Sequence, residues 1–356
     1  MASYILSTAD VQAAVLGGAL LGGGGGGSLT QGSTMGELAL AVGTPQLLSL
    51  DELADDDLLA VVALVGAPSA REQYLKPVHY IRAIELLQAR LGRKLAGITT
   101  NENGAGTTVN GWFQAAMLGL PVIDAPSNGR AHPTGVMGSM GLQQDASYVS
   151  IQAAAGGRAD KYIETVVSGS LTTCASLIRK ASVEAGGLVA VARNPVTVRY
   201  AREHAACGAI GQALELGRLM LKQQTKGGDA VARAAMEFLG GKIICQGTVE
   251  NVTLNMQGGF DVGTVEIKDY ALTFWNEYMT LEQGGERLGT FPDLIMTLQR
   301  ATGIPIPTAE LQQGEEIILV HVPRQRLLLG AGMRDPQLFK PIEQVIGKPV
   351  LSYIFA

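Results

Sequence analysis

The hydrophobic pattern opens with small apolar residues from Val11 to Leu21, which Ser7 or Thr8 can cap as a helix, and this stretch runs into six consecutive glycines, 22–27. A second helix is predicted from near Ser33 to Ala41. An acidic turn at 51–57 then leads into the unbroken apolar run 58–65, closed by Gly66, Ala67 and Pro68. Such a run reads as a strand buried on both faces, the habit of a parallel sheet. Pro77 stands at a favoured first-turn position of a helix with the predicted apolar face Val78, Ile81, Ile84, Leu87 and Leu91, stopped by Gly92. A strand at 95–100, a helix at 111–118 and a strand at 122–125 follow. This alternation predicts an α/β domain over residues 1–167, with a mostly parallel sheet and covering helices.

From about Ser168 the character changes. One helix is predicted over 205–222, with Ile210, Ala213, Leu214, Gly217 and Leu221 on one face and Gly208, Gly211 and Gly217 allowing close backbone approach. Short strands separated by glycine turns dominate 241–322: 242–254 up to Gly258-Gly259, then 264–268, and the cleanly alternating 316–322. These predict a second, β-rich α+β domain over 168–356. No internal repeat or low-complexity linker interrupts the chain.

Composition narrows the class. The 356 residues suit two domains. Charged residues make up 17% of them, against a usual ~25%, and this thin polar coat suggests burial in a homo-oligomer. The net charge of −5 and the absence of any basic block exclude nucleic acid as a partner. Cys174, Cys207 and Cys245 are odd in number and form no CxxC pair, which fits a reducing compartment. Residues 11–27 follow no basic segment, come directly after Asp10 and dissolve into glycine, so neither a signal peptide nor a membrane span is expected. The expected location is cytoplasmic, without a membrane partner.

Three segments carry candidate chemistry. A dinucleotide site would need a strand before glycines 22–27, and a helix is predicted there instead. The alternatives are a nest of amides for a carboxylate or oxyanion, using Gly24, Gly25, Gly26 and Ser28 with Thr30 close behind, or a loop that only packs tightly. Next, 99–108 follows a strand at the carboxyl end, where open parallel sheets bind ligands. It offers Asn101, Glu102, Asn103 and Thr107. Asp124 ends the following strand, and Asn128, Arg130 and His132 come within eight residues of it. That set can supply a base, an anion clamp and a proton shuttle. Glu102, Asp124 and His132 are also of metal-ligand type; no ligand spacing assigns a divalent metal, and no cofactor is required by the sequence. His79 and His321 read as structural, and a His204–Cys207 nucleophile pair is a remote alternative to helix packing. No HExxH, GxSxG or Walker motif is present.

Taken in order, glycines 22–27, Asn101-Glu102-Asn103-Gly104, Ala115-Ala116, the run 119–124, Gly129-Arg130-Ala131, Gly258-Gly259-Phe260 with Gly263, and the run 291–295 resemble the DUF917 family, the S-methyl-thiohydantoin desulfurase-like proteins. The resemblance covers most of the chain and implies an N-terminal α/β domain followed by a β-containing one. It also implies hydrolytic removal of methanethiol from an S-methylated thiohydantoin ring. The chain departs from the family's pattern after Asp124: Pro126 replaces a second acid, His132 an aromatic and Thr134 a glutamate.

These readings combine into an expected hydrolase of a C–S or C–N bond in a small cyclic amide or thioimidate. Asp124 or Glu102 would be the base and His132 the proton donor, with Arg130 or the glycine amides holding a substrate carboxylate. The alternatives are a non-catalytic small-ligand-binding or regulatory protein using the same crevice, and a nucleotide-dependent enzyme using the glycine run.

Overall fold

The computed structural model describes residues 4–66 and 70–355. Ala67 and Pro68, expected to close the first long strand, lie outside the described residues. The first part of the chain runs β1 (Tyr4–Ile5), α1 (Thr8–Leu21), α2 (Leu29–Val42), β2 (Gln46–Leu48), β3 (Leu58–Gly66), α3 (Pro77–Leu91), β4 (Gly97–Thr100), α4 (Trp112–Leu118) and β5 (Val122–Ile123). It continues through β6 (Ser150–Gly156), β7 (Ile163–Gly169), α5 (Leu171–Glu184) and β8 (Leu188–Thr197). Then come α6 (Val198–His204), α7 (Ala209–Gln223) and α8 (Gly228–Leu239). The β-rich part holds β9 (Lys242–Thr248), β10 (Asn251–Gln257), β11 (Phe260–Ile267), β12 (Tyr270–Trp275), β13 (Glu277–Gln283), β14 (Glu286–Thr290), β15 (Leu294–Gln299) and β16 (Glu316–Val322).

An eight-stranded mixed sheet, ordered β1-β2-β5-β4-β3-β8-β6-β7, forms the first layer system. Its β2-β5-β4-β3 stretch is parallel, as the alternation of strands and helices predicts. The other flank is antiparallel, because β6 and β7 form a hairpin and β8 enters between β3 and β6 although it lies beyond residue 167. The run in β3 shows no alternation because both faces are covered. Ala60 and Val62 pack with α1–α4, while Leu59 and Val61 meet a second core on the opposite face.

Three predicted elements shift. Ser28 caps α2, accepting from the Gln31 amide at 3.2 Å, so that helix starts four residues before Ser33, at Leu29. Only part of the predicted face of α3 is inward: Val78 is 57% exposed, and the buried positions are His79, Tyr80, Ala83, Ile84 and Leu87. The helix expected over 205–222 is broken at Gly208, whose φ of 81° starts α7 afresh. In α7, Gly217 does take a close crossing: a Cβ there would stand 1.8 Å from the Ala13 carbonyl of α1.

The second part is β-rich, as predicted. Strands β10–β14 make a five-stranded antiparallel meander, and β15-β16-β9 a three-stranded sheet covered by α8. Glycines 22–27 join the two parts. The Tyr278 amide donates to Gly23 O at 2.8 Å, the Thr308 amide to Gly24 O at 3.0 Å, and the Gly106 amide to Gly26 O at 2.8 Å. No helix among the described residues is long and apolar enough to cross a membrane.

Candidate active site

The chain leaves the carboxyl end of β4 as Asn101 and Glu102, beside a cleft of about 660 Å³ between the two parts. One wall is the glycine loop; another is β13 with Glu277, and the segment around Thr308 closes it further. Met35, Leu38, Leu64 and Leu75 give the cleft an apolar side.

Glu102 and His132 meet here. Glu102 Oε2 lies 3.2 Å from His132 Nε2, 3.0 Å from Asn101 Nδ2 and 3.2 Å from the His132 amide. The hydrogens follow from the partners. An arginine only donates, so the short contact from Arg193 fixes the Asn101 oxygen on its side and turns Nδ2 towards both Glu102 and His132. The Thr134 carbonyl only accepts, so His132 Nδ1, 3.0 Å away, carries its proton and Nε2 presents a lone pair. An ionised Glu102 would set two acceptors face to face, and one shared proton relieves this.

Burial governs the charge states. Desolvation pushes the Glu102 carboxyl up to about 7, against the pull of the His132 amide and the Arg193 charge. Burial, with Arg193 nearby, depresses His132 to about 3, so its imidazole stays neutral. Glu102 Oε1 accepts no hydrogen bond among the described residues, and the side chain keeps 10% exposure towards the cleft. The pair is therefore a base that changes protonation near neutrality with one free oxygen facing a ligand-sized space.

Gly24, Gly25, Gly26, Ser28 and Thr107 also line the cleft. Among the described residues, the amides of Gly26 and Gly27 donate to no backbone acceptor, as an anion nest requires. The same glycines pack tightly: a Cβ on Gly25 would lie 2.0 Å from Glu277 Oε1, and one on Gly26 would lie 2.5 Å from Gly104 Cα. The element before them is α1, not a strand, so the dinucleotide arrangement is absent.

Four of the expected site residues are held elsewhere. Asp124 accepts from the Ile210 and Gly211 amides at 2.8 and 3.1 Å. It thus caps α7, whose own cap residue, Gly208, has no side chain to do so. Asn103 donates to the Gly129 and Ala209 carbonyls at 3.3 and 2.7 Å. Asn128 bridges Met137 O and the Gly330 amide at 3.1 and 2.9 Å. Arg130 is fully buried over the Phe291 ring at 4.6 Å and donates to the carbonyls of Ala131, Pro292 and Asp293. With Asp124 at α7, the Glu102–Asp124–His132 metal set does not form; no group of three His, Cys, Asp or Glu among the described residues converges as metal ligands.

Sequence reasoning missed Arg193, Arg179 and Glu277. Arg193 had a signal, being the lone charge in β8, directly after the apolar run 188–192. It is aimed by a bulge in β8 where Asn194 adopts φ 50° opposite Ala60. Arg179 and Glu277 had none. Of the remaining histidines, His79 accepts from the Lys76 amide at 3.0 Å, His321 meets Asp293 at 3.2 Å, and His204 stacks on Tyr200 at 4.0 Å.

Comparison with known proteins agrees with this two-part architecture. A solved crystal structure of a protein from Chromobacterium violaceum superposes with a TM-score of 0.71 at 21% identity, covering 97% of this chain and 96% of that one. No curated protein matches the sequence. Residues 9–161 match the model of the S-Me-THD-like N-terminal domain, and residues 170–333 that of the S-Me-THD-like C-terminal domain. With both domain models matched in order along most of its length, the chain belongs to the S-methyl-thiohydantoin desulfurase-like (DUF917) family.

Proposed function

We propose that the chain is a hydrolase of small cyclic thioimidates or amides, of the S-methyl-thiohydantoin or hydantoin type. The observation that carries this reading is the proton-sharing Glu102–His132 pair, held by Asn101 and Arg193 at the wall of a cleft. Ionised Glu102 takes a proton from water as its oxygen attacks the ring carbon. His132 stays neutral, its Nε2 lone pair accepting the proton that Glu102 then carries, and the free amides of Gly26 and Gly27 hold negative charge on the substrate or intermediate. The ring substituent lies against Met35, Leu38, Leu64 and Leu75, so rings with apolar substituents are preferred. The departure at Thr134, which lines the cleft, lowers the number of acids around it and favours, as a second reading, a binding protein that holds the same ring without turnover.

The test is thiol release from S-methyl-thiohydantoins, with thermal stabilisation by the same compounds and by hydantoins measured in parallel. Release by wild type that is lost in folded Glu102→Gln supports the hydrolase. Stabilisation without product selects the binding protein, and neither response rejects both.

A further inference from the structure

Glu277, the first residue of β13, reaches the cleft from the second domain and has no role so far. Its side chain is buried, and Oε2 has no hydrogen-bond partner. A buried carboxylate with an unpartnered oxygen is costly, whereas a carboxylic acid in the same place carries no charge. The surrounding charges are Glu102 on the first-domain wall, Arg130 beneath the glycine loop, Arg179 of α5 and Asp261 of β11. Among the described residues neither arginine forms an ion pair with Glu277. The glycine run explains how the carboxyl gets there: Oε1 occupies the space that a Cβ on Gly25 would need.

We propose that Glu277 is the proton donor of the cleft, standing opposite the base Glu102; the donor role rests on the hydrolase reading above. Desolvation, then the facing Glu102 carboxylate, raise the Glu277 carboxyl well above its usual range, against the pull of Arg130 and Arg179. Two carboxyls facing one space cannot both ionise readily, so one becomes base and the other acid. In the reaction, Glu102 removes a proton from water as the oxygen bonds to the ring carbon, and passes that proton to the ring nitrogen. At collapse Glu102 takes the hydroxyl proton, the electron pair closes the C=O bond and the C–S bond breaks. Glu277 gives its proton to the departing sulfur, releasing methanethiol and a hydantoin. A proton then returns from Glu102 to Glu277 and resets the site.

The experiment combines a pH profile of thiol release with infrared difference spectra of wild type, Glu277→Gln and Gly25→Ala. Glu277→Gln keeps the shape and neutrality of the acid and folds normally. With a thiol-releasing wild type, the expected loss in kcat is about 10²–10⁴-fold, and the alkaline decline of the wild-type profile disappears. Gly25→Ala, which pushes the carboxyl aside, lowers kcat in the same direction. An unchanged kcat with the alkaline limb intact in Glu277→Gln overturns the proposal. At pH 7 the protonated-carboxyl signal of the wild type holds, beside that of half-protonated Glu102, a band that Glu277→Gln removes; the absence of that band overturns the proposal whatever the substrate. A wild type that has the band but releases no thiol rejects the substrate reading instead. In that case a band that shifts when hydantoin is added supports Glu277 as the donor to the ligand, and a band left unmoved overturns it.

Discussion

The orientation of one amide sets the chemistry at the residue scale. Arg193 holds the Asn101 oxygen, so the Asn101 nitrogen donates towards Glu102 and His132, each 3.0 Å away. Glu102 then titrates at about 7 beside a neutral imidazole. In the proposed role of base it must be ionised, so activity is expected to rise with pH through about 7 and fade below it. Glu102→Gln is expected to lower kcat by about 10²–10⁴-fold and to erase this acidic limb, as a kcat–pH profile for both proteins will show. Replacing Arg193 by Met frees the Asn101 amide to turn, and should cut kcat at least tenfold with little change in KM, measured on the same substrate. Glu102, Asn101 and His132 were legible because polar residues cluster directly after a strand. Arg193 and Glu277 were not, since each lies far along the chain and reaches the cleft only through the pairing of β8 and the placement of β13.

The placement of Asp124 is explained at the scale of elements. A strand-end acid in a parallel sheet points into the ligand crevice by default. Here α7 begins beside it with a glycine in the cap position, and the carboxylate satisfies two of that helix's free amides. Nothing local to 122–134 announces a helix some eighty residues later. Asp124→Asn should therefore lower stability by roughly 1–2 kcal/mol while leaving kcat unchanged, as denaturant melts and thiol-release assays on the same preparation would reveal. An inactive, fully folded variant would return Asp124 to the chemistry. The α1–α7 crossing gives a second test at this scale. Gly17 and Gly217 each face the other helix's backbone, where a Cβ would lie 1.9 Å from Ala213 O and 1.8 Å from Ala13 O, respectively. Gly217→Ala forces the helices apart and should cost roughly 1–3 kcal/mol or more, read as a lower denaturation midpoint. The small residues of α1 were visible in the sequence, but the partner that needs them was visible only as a glycine in another helix.

At the scale of the whole molecule, the glycine loop is where the domains meet and where the acids of both become buried. Its carbonyls accept from Tyr278, Thr308 and Gly106, and its lack of side chains lets Glu277 lie against it. Folding therefore carries Glu102 and Glu277 out of water together, with a consequence for stability that needs no substrate to observe. Glu102 titrates near 4.5 unfolded and near 7 folded, so between these values the native state binds the extra proton. Stability from this group is fully present below about 4.5 and is lost as pH rises through about 7. At ~1.4 kcal/mol per pKa unit, the loss is on the order of 3 kcal/mol by pH 8. His132 acts in the opposite sense: its depressed titration removes stability as pH falls below its ordinary value of 6.5. Glu102→Gln keeps the histidine and removes only the buried acid. Its melting temperature should match wild type near pH 5 and exceed it by several degrees at pH 8, where the wild-type carboxylate is charged. Equal melting temperatures at both pH values would mean that Glu102 ionises at no cost to the fold, and the shared proton would then lose its physical basis. The predicted result instead makes Glu102 a residue that weakens the fold at the pH where it acts as a base, as expected of a buried group retained for its chemistry.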